Sequence, residues 1–249
     1  MFSKDTYYLK GDDPMETTIT QLPGEVYIIE QEMVRSYLIV GPKKALLLDA
    51  LAAPCDLMGL VRSVTDKPLY FCLTHTDGDH TANAAAFPVH YLHAEEKAFY
   101  TPPEGCMTMT LRDGDHFDLG GLDIDVVHLP GHTPGSIALA DRMRKLIFVG
   151  DTVSRAPVYM FGEKRNMELY ITSLRHLQVM ADFRAFKVLL PSHGPMPVYP
   201  EEIDELLKCA LDIQEGYLVG QETDMPGRGG PAPLLAKRGE VGILYQPKK

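Results

Sequence analysis

Nowhere does this chain of 249 residues string together the ~20 apolar residues that a membrane-spanning helix needs. It also lacks an excess of positive charge: 24 Lys and Arg stand against 34 Asp and Glu, for a formal net charge of −10. That balance speaks against a nucleic-acid backbone or an anionic membrane as the main partner. The opening residues, MFSKDTYYLKGDDPMETT, show no apolar core of a secretory signal, and a cytoplasmic location is expected from them. Cysteine is scarce. Cys55, Cys72, Cys106 and Cys209 are widely spaced, form no CxxC pair and read as reduced thiols. Cys72 lies inside the apolar run PLYFCL and is expected to be buried and inert. No linker, compositional break or tandem repeat interrupts the chain, so residues 1–249 are read as a single domain. A Gly-Lys-Ser/Thr loop is absent, and GHTPGS is no Gly-x-Ser-x-Gly elbow, which leaves Ser136 a poor nucleophile.

What is present is an alternation of strand-like runs and helices. VYIIE (26–30), SYLIV (36–40), ALLLDA (45–50), LYFCLTH (69–75) and VHYLH (89–93) read as strands between turn residues. Asp56 is a candidate N-cap for a helix through LMGLVRSVTD, and TANAAAF and AEEKAFY are expected to be helical. Further on, DHFDLG and LDIDVVHL flank Gly120-Gly121 as a hairpin, and SIALAD pairs with KLIFVGD. Helices are expected over 166–182 and from Pro200 through the acidic PEEIDELLKCALDIQEGY, with strands at FKVLLPSHG and EVGILYQ. The Gly- and Pro-rich stretch at 225–233 is expected to be a loop and a candidate lid. Strand-then-helix order occurs in each half, which suggests two layers of sheet and helix rather than one doubly wound sheet.

Four apolar strands stop abruptly at a polar residue beside glycine or proline: THTDGDH (74–80), VVHLPGHTPGS (126–136), LIFVGDT (146–152) and VLLPSHGP (188–195). A strand end followed by a tight loop is a rigid place to hold a ligand, because the sheet fixes the backbone. Each motif alone is ambiguous: Asp77-Gly78 is a common turn dipeptide, and a lone histidine is ordinarily a satisfied polar residue. His90, His93, His116, His128 and His176 fit none of these motifs and read as surface or supporting residues.

Together, THTDGDH, PGHTPGS, FVGD and PSHGP resemble, in order and spacing, the metallo-β-lactamase superfamily, over about Val26 to Pro195. The resemblance implies an α/β fold, a four-layer αββα sandwich with two mixed β-sheets flanked by helices. It also implies two divalent metal ions, with His75, Asp77 and His132 on the first, Asp79, His80 and His193 on the second, and Asp151 bridging. Imidazoles and carboxylates are ligands that zinc, iron and manganese accept together. Gly78 allows the tight turn by which Asp77 and Asp79 address different ions. Asp77 stands where the family's usual motif has its second histidine, a position at which flavodiiron proteins carry Glu and some other relatives Asp. With Asp77, Asp79 and Asp151 ionised, three negative charges plus a hydroxide neutralise two divalent ions, whereas histidine at 77 would leave one positive charge over. Lewis acidity falls accordingly, and iron or manganese gains relative to zinc, which stays the first expectation for both ions.

The implied activity is hydrolysis of a small ester, thioester or lactone, in which a hydroxide held by the metals attacks the carbonyl and Asp79 helps to orient it. Arg155, Tyr159 and Phe161, in the segment after Asp151, are candidates to line the substrate pocket. The alternative on the same fold is an iron-dependent redox protein of the flavodiiron or sulfur-dioxygenase kind, which Asp77 favours. A small-molecule substrate is implied in either case, with no nucleic acid and no membrane as partner. The oligomeric state stays open, a homodimer included.

Overall fold

The computed structural model describes residues 6–8, 16–227 and 230–247. The chain divides into two compact units, Met1–Val126 and Val127–Lys249, each with its own apolar core.

The first unit is built on an eight-stranded mixed sheet whose strands lie side by side in chain order. They are β1 (Thr6–Tyr8), β2 (Thr17–Leu22), β3 (Val26–Gln31), β4 (Val34–Val40), β5 (Ala45–Leu48), β6 (Leu69–Cys72), β7 (Val89–His93) and β8 (Met107–Leu111). Strands β1 to β5 pair antiparallel, and β5 to β8 pair parallel. Parallel neighbours need a crossover. Between β5 and β6 it is α1 (Leu57–Val64), which starts where the Asp56 carboxylate accepts the Gly59 N–H at 2.9 Å. Leu57, Leu60 and Val61 of α1 join Leu47, Phe71 and Leu92 of the sheet in one core. All of β5 is buried, as expected of a strand covered on both faces. A hairpin closes the unit, from β9 (His116–Asp118) to β10 (Asp123–His128), through Gly120 and Gly121, both at positive φ. The Asp118 carboxylate accepts both glycine N–H groups, which holds its pKa below the usual carboxylate range.

Two expected helices take a tighter form. TANAAAF gives only a single 3-10 turn at Ala84–Ala86, after another at Gly78–His80. Its backbone donors are drawn sideways: Ala82 N–H bonds Leu51 O, Asn83 N–H bonds Ala50 O, and the Asn83 amide donates to the Ala50 and Ala53 carbonyls. An α-helical ladder cannot form from groups already spent on another segment. AEEKAFY is likewise a 3-10 helix, Ala94–Phe99. The expected strand at 69–75 stops at Cys72, and residues 73–75 continue beyond the sheet.

In the second unit, β10 leads into β11 (Ile137–Asp141), β12 (Leu146–Gly150), β13 (Val158–Met160), α2 (Met167–Asp182), β14 (Val188–Pro191), α3 (Pro200–Glu215), β15 (Gln221–Glu222), β16 (Leu234–Arg238) and β17 (Val241–Tyr245). One sheet runs β14-β12-β11-β10, with β12 and β14 parallel; a smaller mixed sheet runs β13-β17-β16-β15. Tyr170, Leu174 and Leu177 of α2 share a core with Ile203, Leu206 and Cys209 of α3, and Gln178 donates to Asp204 at 2.7 Å. α3 opens on Pro200, with Glu202 accepting the Tyr199 N–H, and ends on Gly216 in the left-handed region. Residues 228 and 229 of the expected 225–233 loop lie outside the described residues. Among the described residues, no helix is long and apolar enough to cross a membrane.

The thiols separate by environment. Cys72 and Cys209 are buried, and burial pushes their pKa up, that of Cys209 to about 11; Cys55 and Cys106 are half-buried. A thiol held protonated and out of solvent reacts slowly, since the thiolate is the nucleophile. Alkylation of native protein at pH 8 is therefore expected to modify Cys55 and Cys106 first, and Cys72 and Cys209 only on unfolding; peptide mass mapping over time checks the order.

Candidate metal centre

In the first unit the donors rise from the ends of two adjacent parallel strands. Leu48 of β5 pairs with Cys72 of β6, so the next residues along each strand, Asp49 and Leu73-Thr74-His75, emerge side by side. Asp49 is buried and sits at φ 63°, a left-handed conformation that an aspartate tolerates better than most residues. Its carboxylate accepts the Thr74 N–H and the Thr74 hydroxyl, both at 2.7 Å, and the Nδ1–H of His80 at 2.9 Å. The Thr74 hydroxyl, having donated to Asp49, accepts from Nδ1 of His75 at 3.1 Å. Asp49 thus sets the tautomer of both imidazoles, one directly and one through Thr74, and presents Nε2 of each as the lone-pair nitrogen.

On the Nε2 side stand the expected carboxylates. His75 Nε2 lies 3.9 Å from Asp77 Oδ2, and His80 Nε2 lies 3.7 Å from Asp79 Oδ2. The two rings tilt together with centroids 4.1 Å apart. These separations are too long for hydrogen bonds but suit co-ligands: two donors about 2.1 Å from one tetrahedral ion stand roughly 3.4 Å apart. Gly78 opens the short 3-10 turn that separates Asp77 from Asp79.

The second unit repeats the device. Gly150 of β12 pairs with Pro191 of β14, again in parallel, so Asp151 and Ser192-His193 emerge from adjacent strand ends, tied by the Ser192 N–H to Gly150 O bond. His193 Nε2 lies 3.4 Å and His132 Nε2 3.6 Å from the same atom, Asp151 Oδ2. One carboxylate oxygen is thus flanked by two imidazole nitrogens at distances that suit co-ligands. His132 is delivered by the PGHTPGS loop, where Gly131 takes φ 139° and a Cβ would fall 2.4 Å from the Tyr170 backbone. Only glycine permits α2 to come so close. Ser136 braces this loop: its hydroxyl accepts the Thr133 N–H at 3.0 Å and lies 2.8 Å from the Thr133 hydroxyl, a structural role.

The expected pocket residues have defined neighbours. The Arg155 guanidinium pairs with Glu202 of α3. Tyr159, partly exposed, and Phe161, buried, have ring centroids 5.6 Å apart. Three supporting groups lie outside the residues that the sequence motifs single out. Asp49 carries the signature used for the motif residues, an apolar strand stopped at an acid in ALLLDA. Glu96 is buried and accepts the N–H and hydroxyl of Thr76. Arg165 donates to His132 Nε2 at 3.1 Å and to the Tyr159 carbonyl at 3.3 Å. Neither Glu96 nor Arg165 has a motif to betray it.

A family model, the metallo-beta-lactamase superfamily, matches residues 29–193. The chain is 28% identical to the human (Homo sapiens) acyl-coenzyme A thioesterase MBLAC2 over 157 residues, 51% of this chain and 56% of that protein. It is 38% identical to the hydroxyacylglutathione hydrolase of Aeromonas salmonicida over 85 residues, 32% of each chain. The matches to MBLAC2 thus span from about a third to just over half of the curated relatives' length. A metallo-beta-lactamase from Pontibacter korlensis superposes with a TM-score of 0.64 at 15% identity, over 79% of this chain and 100% of that one, a likeness of fold.

Asp49 is the group on which the first-unit donors depend. Asp49→Ala would strand the Thr74 N–H, the Thr74 hydroxyl and His80 Nδ1 in the interior, a loss of about 3 kcal/mol or more. Denaturant unfolding of chelator-treated protein is expected to show that loss. Asp49→Asn, keeping the size, should fold but bind zinc roughly 10–100-fold more weakly, as changes behind a metal-binding histidine typically do.

Proposed function

The chain belongs to the metallo-beta-lactamase superfamily, and from that membership we propose that it is a metal-dependent hydrolase of a small ester, thioester or lactone. The observation that carries the reading is the repeated donor geometry: in each unit imidazole Nε2 atoms stand beside carboxylates at 3.4–3.9 Å. The donor set fits the family's ions. Imidazoles of His75, His80, His132 and His193 with carboxylates of Asp77, Asp79 and Asp151 suit zinc, iron or manganese, whereas calcium and magnesium take oxygen alone. Following the family's ligand order, we assign His75, Asp77 and His132 to one ion, Asp79, His80 and His193 to the other, and Asp151 to both.

Such ions, when bound, acidify water and polarise a carbonyl oxygen. The chain's own residues do the rest. Asp49, through His80 and through Thr74 and His75, holds the donors at fixed angles, which removes reorganisation from the reacting state. Asp79, whose side chain is 45% exposed, is the ligand carboxylate most open to solvent and is assigned to orient the attacking water. Tyr159 and Phe161 are assigned to the substrate's apolar part, and Arg155, braced by Glu202, to the same wall. A thioester is the first substrate class to try, since relatives carry the name acyl-coenzyme A thioesterase.

Asp77 sustains a second reading, an iron-dependent redox protein. Its carboxylate stands on the Nε2 side of His75, where it adds the negative charge that favours iron or manganese over zinc.

Elemental analysis of protein purified without added metal, followed by a panel of acyl thioesters, esters and lactones, tests both. Zinc with chelator-sensitive hydrolysis is the expected outcome, and His132→Ala and His193→Ala should lower the rate at least 100-fold. Undiminished hydrolysis in both variants would overturn the proposal. Iron with oxygen consumption and no hydrolysis would select the second reading.

A further inference from the structure

Beyond the ligands lies a carboxylate that the reaction does not use. Glu96, on the 3-10 helix Ala94–Phe99 after β7, is fully buried. Its Oε2 accepts the Thr76 N–H at 3.0 Å and the Thr76 hydroxyl at 2.6 Å. Thr76 stands between His75 and Asp77. On the other side of His75, Thr74 is gripped in the same two-point manner, by its N–H and hydroxyl, from Asp49. The run Thr-His-Thr is therefore clamped at both ends by buried acids.

Burying a carboxylate is expensive, and an apolar residue in its place would often serve stability as well or better. A buried acid that turns one oxygen to both the N–H and the hydroxyl of Thr76 therefore points to a demand for placement. That demand is clearest at Asp77. An aspartate reaches less far than the histidine of the family pattern, so its donor atom has to be placed by the backbone. The backbone at Asp77 is extended (φ −70°, ψ 152°), directly after the clamped Thr76. Rotation about the 76–77 link would swing the Asp77 carboxylate away from His75 Nε2.

We propose that Glu96 is a positioning residue which, through Thr76, fixes the link between His75 and Asp77 and sets how tightly that donor pair holds its ion. The inference rests on the assignment of His75 and Asp77 as ligands of one ion, and it concerns that ion alone.

Two substitutions at Thr76 isolate the clamp. Thr76→Val keeps size and branching but removes the hydroxyl; Thr76→Ser keeps the hydroxyl but removes the methyl. The full-length variants, loaded with zinc, are dialysed against graded chelator, and the zinc retained per chain is measured. Loading with cobalt(II) adds a visible spectrum that reports ligand geometry directly. Thr76→Val is expected to release one of two ions at roughly 10-fold lower chelator than the unaltered chain, in the range of effects from outer residues. Its cobalt spectrum should change, and Thr76→Ser should match the unaltered chain in both measurements. Retention in Thr76→Val equal to the unaltered chain overturns the proposal, as does loss in Thr76→Ser equal to that in Thr76→Val, which would mark a packing role. An unaltered chain that takes up no zinc or cobalt overturns the ligand assignment itself, and this inference with it.

Discussion

The first unit's donor geometry depends on one buried carboxylate. Asp49 accepts three hydrogen bonds at 2.7–2.9 Å from two residues that lie 25 and 31 positions along the chain. An acid this deep is tolerable only with its lone pairs satisfied, and the same bonds fix which nitrogen of His75 and His80 carries the proton. A strained φ, a strand end and two imidazole tautomers are settled by the same contact. Without it, each ring could turn or take its proton on the other nitrogen, and the carboxylates of Asp77 and Asp79 would face N–H groups instead of lone pairs.

Each unit uses a pair of parallel neighbours, β5 beside β6 for Asp49 and His75, and β12 beside β14 for Asp151 and His193, while His132 comes from the loop after β10. Parallel pairing delivers two strand ends to one place with the sheet's ladder still holding both, so the donors begin from rigid points. The loops leaving those ends are short and conformationally specific. Gly131 admits the α2 backbone where a Cβ would fall at 2.4 Å, and Gly194 turns at φ 75° directly after His193. These glycines shape the loops that carry the histidines without taking part in any chemistry.

This division explains what could be read from sequence. Apolar runs ending at a polar residue beside glycine or proline revealed β6, β10, β12 and β14 together with the histidines and aspartates that follow them, because a buried strand and a tight turn each leave a local signature. Helix α1 was legible from its cap at Asp56, α3 from Pro200 and α2 from apolar residues at helical spacing over 166–182. Illegible were effects settled by distant partners. TANAAAF has the composition of a helix, yet Asn83 and the carbonyls of residues 50–53 claim its donors. Arg155 and Arg165 look alike in sequence, and only packing reveals that one pairs with Glu202 while the other reaches His132. Glu96 sits in a charged run that reads as a solvated helix face but is fully buried.

Asp77 ties these threads to function. Histidine brings a neutral donor on a long arm; aspartate brings a charge on a short one. The charge lowers the electrophilicity of any ion it holds. The short arm makes the donor's position depend on the backbone, and the backbone here is held by carboxylates buried on either side of His75. Under the proposed assignment, Asp49 and Glu96 are the groups that would hold a short-armed donor at residue 77 in place, through Thr74 and Thr76.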